Sequence, residues 1–207
     1  MTNYEREVAI ALVEALVEYG LTSHLAQYGE RCTETWFDDN RIETFGFGAA
    51  SGATKSCFWH HDLSSWVIKV GHTENVSCDY ATVEYDMYCK AEEEGFAAYF
   101  PKTVYLGEFG GRPFYAQEMA ECNEDEITSE WYDRLRDRYD EDGEEYDCDR
   151  LWDEVYAMED EERAYITFGD EALCAFLRRN GIGDLHEGNF GYIRGSLVII
   201  DYSGYHG

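Results

Sequence analysis

Asp184, His186, Asn189 and Asp201 fall in one short stretch, GDLHEGNFGYIRGSLVIIDYSG, residues 183–204. It reads as a polar turn, a strand over 196–200 and a second turn. Asp and Asn are ordinary turn residues when taken singly. Together they offer something more. Carboxylate and carboxamide oxygens are hard donors of the kind Mg²⁺ prefers, and a positioned carboxylate can take a proton from a hydroxyl. The stretch points to phosphate and metal chemistry.

Three features upstream fit that chemistry. Gly46, Gly48 and Gly52 sit in FGFGAASGATKSCF, between two apolar segments. Glycine lets backbone N–H groups approach a phosphate closely. A Walker A loop does not fit here, because Thr54 rather than Gly precedes Lys55 and the residues that follow read as strand. Lys69 stands inside the apolar strand WVIKV. Glu84 lies on the next helix, on the row Tyr80/Glu84/Tyr88. A strand lysine paired with a helix carboxylate is held ready for an anion.

These residues need elements to position them. Residues 3–19 carry apolar side chains at helical spacing and end at Gly20, a good C-cap. A short helix is expected near 22–29. A strand is expected from Arg41 (RIETFGF), then a glycine-rich turn (GAASGATKS), then strands CFWHH and SWVIKV. The helix that follows has Tyr80, Val83, Met87 and Ala91 as its buried stripe, and Gly95 closes it. Residues 102–121 read as a hairpin turning at Gly110-Gly111. Between Glu121 and Glu162 the sequence holds twenty Asp/Glu and only four Arg. Trp131, Leu135 and Tyr139, then Leu151, Val155 and Met158, keep helical spacing through it, so two helices with acidic outer faces are expected. Their connecting loop falls near DEDGEEYD, and a further helix is expected at about 169–179.

In this order the motifs resemble the protein-kinase-like superfamily. GFGAASG resembles its glycine-rich loop, VIK its lysine strand, DLHEGN its catalytic loop and DYSG its D-F-G. The histidine in DLHEGN is closest to the aminoglycoside-phosphotransferase style of that loop. The resemblance covers about 41–118 and 167–204. It implies an α+β, bilobal kinase-like fold with three parts. These are an N-terminal helical extension (1–40), an N-lobe of antiparallel sheet plus one helix (41–118), and a reduced, mostly helical, acidic C-lobe (119–207). An ordinary kinase continues past D-F-G with substrate-binding helices; this sequence runs to Gly207, so a truncated C-lobe is expected.

The same resemblance implies roles and ligands. Gly46, Gly48 and Gly52 would cover the phosphates of ATP. Lys69 would contact them, positioned by Glu84. Gln117, Glu118 and Met119 would form the hinge at adenine. Asp184 would act on the acceptor hydroxyl, His186 would support the loop, and Asn189 and Asp201 would hold Mg²⁺. The implied reaction is transfer of the γ-phosphoryl group to a hydroxyl of a protein or small molecule.

The formal charge of −28 excludes a general nucleic-acid-binding surface. It keeps two other readings open. One is a catalytically inactive acidic protein on the same scaffold, an inhibitor or nucleic-acid mimic of the kind a phage or mobile element encodes, acting on a basic partner. The other is a nucleotide sensor without turnover. No membrane span or secretory leader is apparent, and seven scattered cysteines without a CxxC pair suit reduced, mostly buried thiols, so a cytoplasmic location is expected. Cys57, His60 and His61 lack a second ligand pair at zinc spacing.

Overall fold

The computed structural model describes residues 1–21, 39–52, 54–72, 79–142 and 147–202. Among them are seven α-helices, a five-stranded antiparallel sheet and a separate two-stranded hairpin, a mixed α+β architecture. The chain divides into two compact units. The first comprises 1–97 with 101–119, the second 98–100 with 120–207. No helix among the described residues is long and apolar enough to cross a membrane.

The first unit opens with α1 (Asn3–Glu18). Thr2 caps it through a capping box with Glu5, which satisfies two of the N–H groups a helix start leaves open. Helix α2 (Asp39–Thr44) follows. A strand was expected from Arg41; the chain is helical there and turns to strand only after Gly46, whose φ of +77° ends the helix. The expected helix near 22–29 lies outside the described residues. Strands β1 (Phe47–Ser51), β2 (Lys55–His60) and β3 (Trp66–Gly71) come next. Gly48, Ala49 and Ala50 therefore lie in a strand, and the expected long glycine-rich turn contracts to the link between Ser51 and Lys55. Helix α3 (Tyr80–Glu94) runs from an Asp79 N-cap to a left-handed Gly95. Strands β4 (Thr103–Phe109) and β5 (Arg112–Glu118) turn at Gly110 and Gly111, both at positive φ, as the sequence predicts.

The sheet order is β1-β2-β3-β5-β4. Antiparallel register decides which side chains share a face. Phe58 pairs with Ile68, and Ile68 with Ala116; this face joins Val70 and Phe114 in a core with Ala9, Val13 and Leu16 of α1. Cys57 pairs with Lys69, Lys69 with Tyr115, and Val67 with Gln117, so these residues share the opposite face. Helix α3 packs on β3, β5 and β4.

The second unit contains α4 (Glu124–Asp142), α5 (Cys148–Ala157), α6 (Asp160–Phe168) and α7 (Glu171–Arg179), then the hairpin β6 (Phe190–Ile193) and β7 (Ser196–Ile199). Trp131, Leu135, Leu151, Val155 and Met158 are buried, so the acidic segment folds as amphipathic helices. Helix α6 is not apparent in the sequence, because its start is hidden in the run MEDEER. Trp131 sits edge-on to Phe190 and donates its indole N–H to Thr167 Oγ1 at 2.8 Å. The five described cysteines are free, but Cys122 and Cys148 are exposed, against the expectation of mostly buried thiols.

Candidate functional site

In the first unit the site is built around Glu84, which is 1% exposed. Lys69 Nζ donates to its Oε1 at 2.7 Å. Lys55 Nζ lies 3.2 Å from its Oε2. Gln117 Nε2 donates to Oε1 at 2.8 Å and reaches Thr103 Oγ1 at 3.2 Å. The sequence places the buried stripe of α3 on Tyr80, Val83, Met87 and Ala91. The structure buries Tyr80, Glu84, Tyr88 and Ala91, and leaves Val83 and Met87 half-buried. The helix is rotated so that a carboxylate faces the sheet, and burying that charge is tolerable because two ammonium groups and an amide meet it. Tyr115, beside Lys69, shares a 2.7 Å hydrogen bond with Thr82 Oγ1, and burial pushes its phenol up to about 12, which keeps it neutral.

The three glycines differ in what holds them. Gly46 terminates α2. At Gly48 an added Cβ would fall 2.2 Å from the Trp59 ring, its cross-strand partner, so packing alone demands a glycine. At Gly52 an added Cβ would approach nothing closer than the Lys55 carbonyl at 3.9 Å. Gly52 N–H donates to that carbonyl at 3.0 Å, which continues the β1–β2 backbone pairing past Ser51 and Ser56. The Gln117 side chain is spent on Glu84 and Thr103. The Glu118 N–H donates to the Lys102 carbonyl and the Met119 N–H to the Ser65 carbonyl, each at 2.9 Å.

In the second unit, Asp184 is exposed and carries φ +59°, an uncommon conformation for a side chain with a Cβ. Asp160 clamps it: Oδ2 accepts Asp184 N–H at 2.7 Å and Oδ1 accepts Leu185 N–H at 2.8 Å. Asn189 is buried, and its Nδ2 donates to the Asp184 carbonyl at 2.6 Å. Ile200 N–H donates to the Asn189 carbonyl at 2.8 Å, which ties the half-buried Asp201 to the same loop. His186 Nδ1 accepts Gly188 N–H at 3.1 Å and caps the short 3-10 turn Glu187–Asn189. With Nδ2 engaged, Asn189 has its amide oxygen to offer. An amide oxygen and a carboxylate are the hard donor set Mg²⁺ takes. Tyr202 is buried against Phe100, with ring centroids 4.8 Å apart.

Sequence reasoning paired Lys69 with Glu84 and grouped Asp184, Asn189 and Asp201. It missed Lys55, seen only as a rejected Walker lysine, and Asp160, which looks like any other carboxylate of the acidic run. His60 and His61 group with Asp62, their ligand atoms within 4.8 Å of one another; Cys57 is not part of the group.

No protein-family model matches the chain, and no curated protein matches it. Among solved structures, an aminoglycoside phosphotransferase from Alicyclobacillus acidocaldarius subsp. acidocaldarius is similar over 75% of this chain and 61% of its own, at 14% identity and a TM-score of 0.32. The chain thus spans about three-fifths of that neighbour's length. A likeness that loose leaves the activity to be argued from the residues.

Proposed function

We propose that the protein is a kinase-like phosphotransferase that binds ATP with Mg²⁺ and transfers the γ-phosphoryl group to a hydroxyl. The observation that carries this reading is the buried Lys69–Glu84 pair at 2.7 Å. A lysine set in an apolar strand and locked by a helix carboxylate is a costly arrangement for stability alone, and it suits the neutralisation of a polyphosphate. The second unit supports the reading separately. There the Asn189–Asp184 hydrogen bond holds a carboxylate and a metal-donor amide in one loop. In this account Lys69 binds phosphate, Gly52 lies over it, Asn189 and Asp201 hold the metal, and Asp184 orients the acceptor hydroxyl. Gly46 and Gly48 serve the backbone, and the Gln117 side chain serves Glu84. Adenine lies by the backbone of Glu118 and Met119.

Thermal unfolding with ATP and Mg²⁺ tests the binding. ATP at ten times its Kd raises the wild-type midpoint by about 3–6 °C. The Asp201→Ala variant loses the part of the rise that depends on Mg²⁺. An unmoved wild-type midpoint at millimolar ATP contradicts the proposal.

A second reading has its own observation, the acidic segment. Asp125, Asp137, Asp153, Glu161 and Glu162, spread over α4, α5 and α6, are all exposed. A surface of that sign captures a basic protein, and such a complex weakens as salt rises.

A further inference from the structure

We infer that His60, His61 and Asp62 form a binding site for a divalent transition-metal ion such as Zn²⁺. The site shares no ligand residue with the proposed ATP site and does not depend on it. The three residues lie where β2 ends in the 3-10 turn His61–Leu63. Their ligand atoms fall within 4.8 Å of one another. The Asp62 carboxylate stands between the two rings: Oδ2 is 3.5 Å from His60 Nδ1, and Oδ1 is 3.3 Å from His61 Nε2. A tetrahedral zinc ion, with bonds of about 2 Å, keeps neighbouring ligand atoms about 3.3 Å apart. The spacing around Asp62 is therefore that of metal ligands.

His60 is the fixed member. Its buried ring lies 5.0 Å from the Phe47 ring and 4.2 Å from the His61 ring, centroid to centroid. A Cβ at Gly46 would fall 2.8 Å from His60 Nε2, so that glycine lets the chain pass close to the far edge of the ring. The Asp62 N–H donates to His60 Nδ1 at 3.2 Å, which puts the ring's lone pair on the nitrogen that faces Asp62. A bound ion takes that lone pair, and water takes the N–H of the exposed Asp62. The same hydrogen bond caps the 3-10 turn, but a cap needs neither the His61 ring nor the Asp62 carboxylate. His61 and Asp62 are 75% and 62% exposed, so both side chains can turn onto an ion without repacking the core. Imidazoles suit Zn²⁺, Ni²⁺ and Cu²⁺, whereas Mg²⁺ takes oxygen donors. Three protein ligands leave the fourth position of a tetrahedral ion to water.

Titration of the full chain with Zn²⁺ alone, read at the assigned imidazole resonances of His60 and His61, tests the site in wild type, His61→Ala and Asp62→Asn. Both substituted residues are exposed, so the variants should fold as wild type does. Zn²⁺ in small molar excess should shift both rings, at Nδ1 of His60 and at Nε2 of His61. Each variant should weaken the response of the His60 ring at least tenfold. Mg²⁺ at the same concentration should leave both rings unmoved. Reading the rings themselves separates this site from any other that Zn²⁺ finds on the chain. Rings that stay unmoved in wild type overturn the inference. So does a His60 response of equal strength in wild type and either variant, which would mean that His60 acts without its neighbours. A response to Mg²⁺ equal to that to Zn²⁺ overturns it too, because it would report attraction to an acidic chain and not ligation. None of these results bears on ATP binding, which is tested through Asp201.

Discussion

Asp160, in the first turn of α6, accepts the backbone N–H of Asp184 at 2.7 Å and thereby holds Asp184 at a positive φ. With Leu185 N–H on the other oxygen, one carboxylate fixes two successive peptide groups of the loop that carries the proposed catalytic aspartate. Arg163 supports it, with Nη1 3.8 Å from Asp160 Oδ1 and 3.5 Å from the Leu185 carbonyl.

Asp160→Ala should therefore loosen the loop before it loosens the unit. Hydrogen bonds to a charged acceptor are stronger than neutral ones, and partial exposure discounts them. Loss of about 1–2 kcal/mol of local stability corresponds to about 5–30-fold faster amide exchange at Asp184 and Leu185. Core amides near Trp131 and Phe190 should keep their protection. Equal loss throughout the second unit would mean that Asp160 holds the fold and not the loop.

Gly48 should matter through Trp59. A Cβ at Gly48 would fall 2.2 Å from the ring. Gly48→Ala should cost about 1 kcal/mol of stability in wild type and almost nothing in a Trp59→Ala background, a coupling readable by a double-mutant cycle in urea. Equal costs in the two backgrounds would show that backbone conformation, not the ring, requires the glycine.

The Tyr99–Asp170 hydrogen bond sets an acid dependence. Tyr99 Oη donates to Asp170 Oδ2 at 2.7 Å, and Asp170 caps α7 through the N–H groups of Ala172 and Leu173. The Tyr99 bond first, then the Leu173 N–H, holds the Asp170 carboxyl below its usual range. A depressed folded value means that the stability it supplies is present above the unfolded carboxylate range near pH 4 and disappears as pH falls through the folded value. Asp170→Asn should lower the unfolding midpoint at pH 7 and converge with wild type at a pH well below the unfolded carboxylate range. A gap that persists at that pH would argue against the titration.

How far the sequence carried can be judged from particular residues. Lys69 was legible because a charge inside VIK has no place in an apolar strand without a partner, and Glu84 was the carboxylate on the next helix. The hairpin at Gly110-Gly111 was legible from its turn residues. Lys55 was not, because its meeting with Glu84 depends on the β2–β3 register and on the rotation of α3, both set by non-local packing. The helical state of 39–44 was hidden because Ile42, Thr44, Phe45 and Phe47 are residue types that strands favour, and only the break at Gly46 separates it from β1. Asp160 was hidden because nothing local distinguishes it from the neighbouring acids. Its role comes from α6 packing beside a loop far along the chain.

The central claim is phosphoryl transfer. The most direct measurement is the release or transfer of label from γ-labelled ATP with Mg²⁺, to water, to the protein itself and to pooled lysate proteins, for wild type and Asp184→Ala side by side. The account predicts transfer by wild type that falls at least about 100-fold in Asp184→Ala, with ATP still bound. Transfer that is absent in wild type, or unchanged in Asp184→Ala, would contradict it.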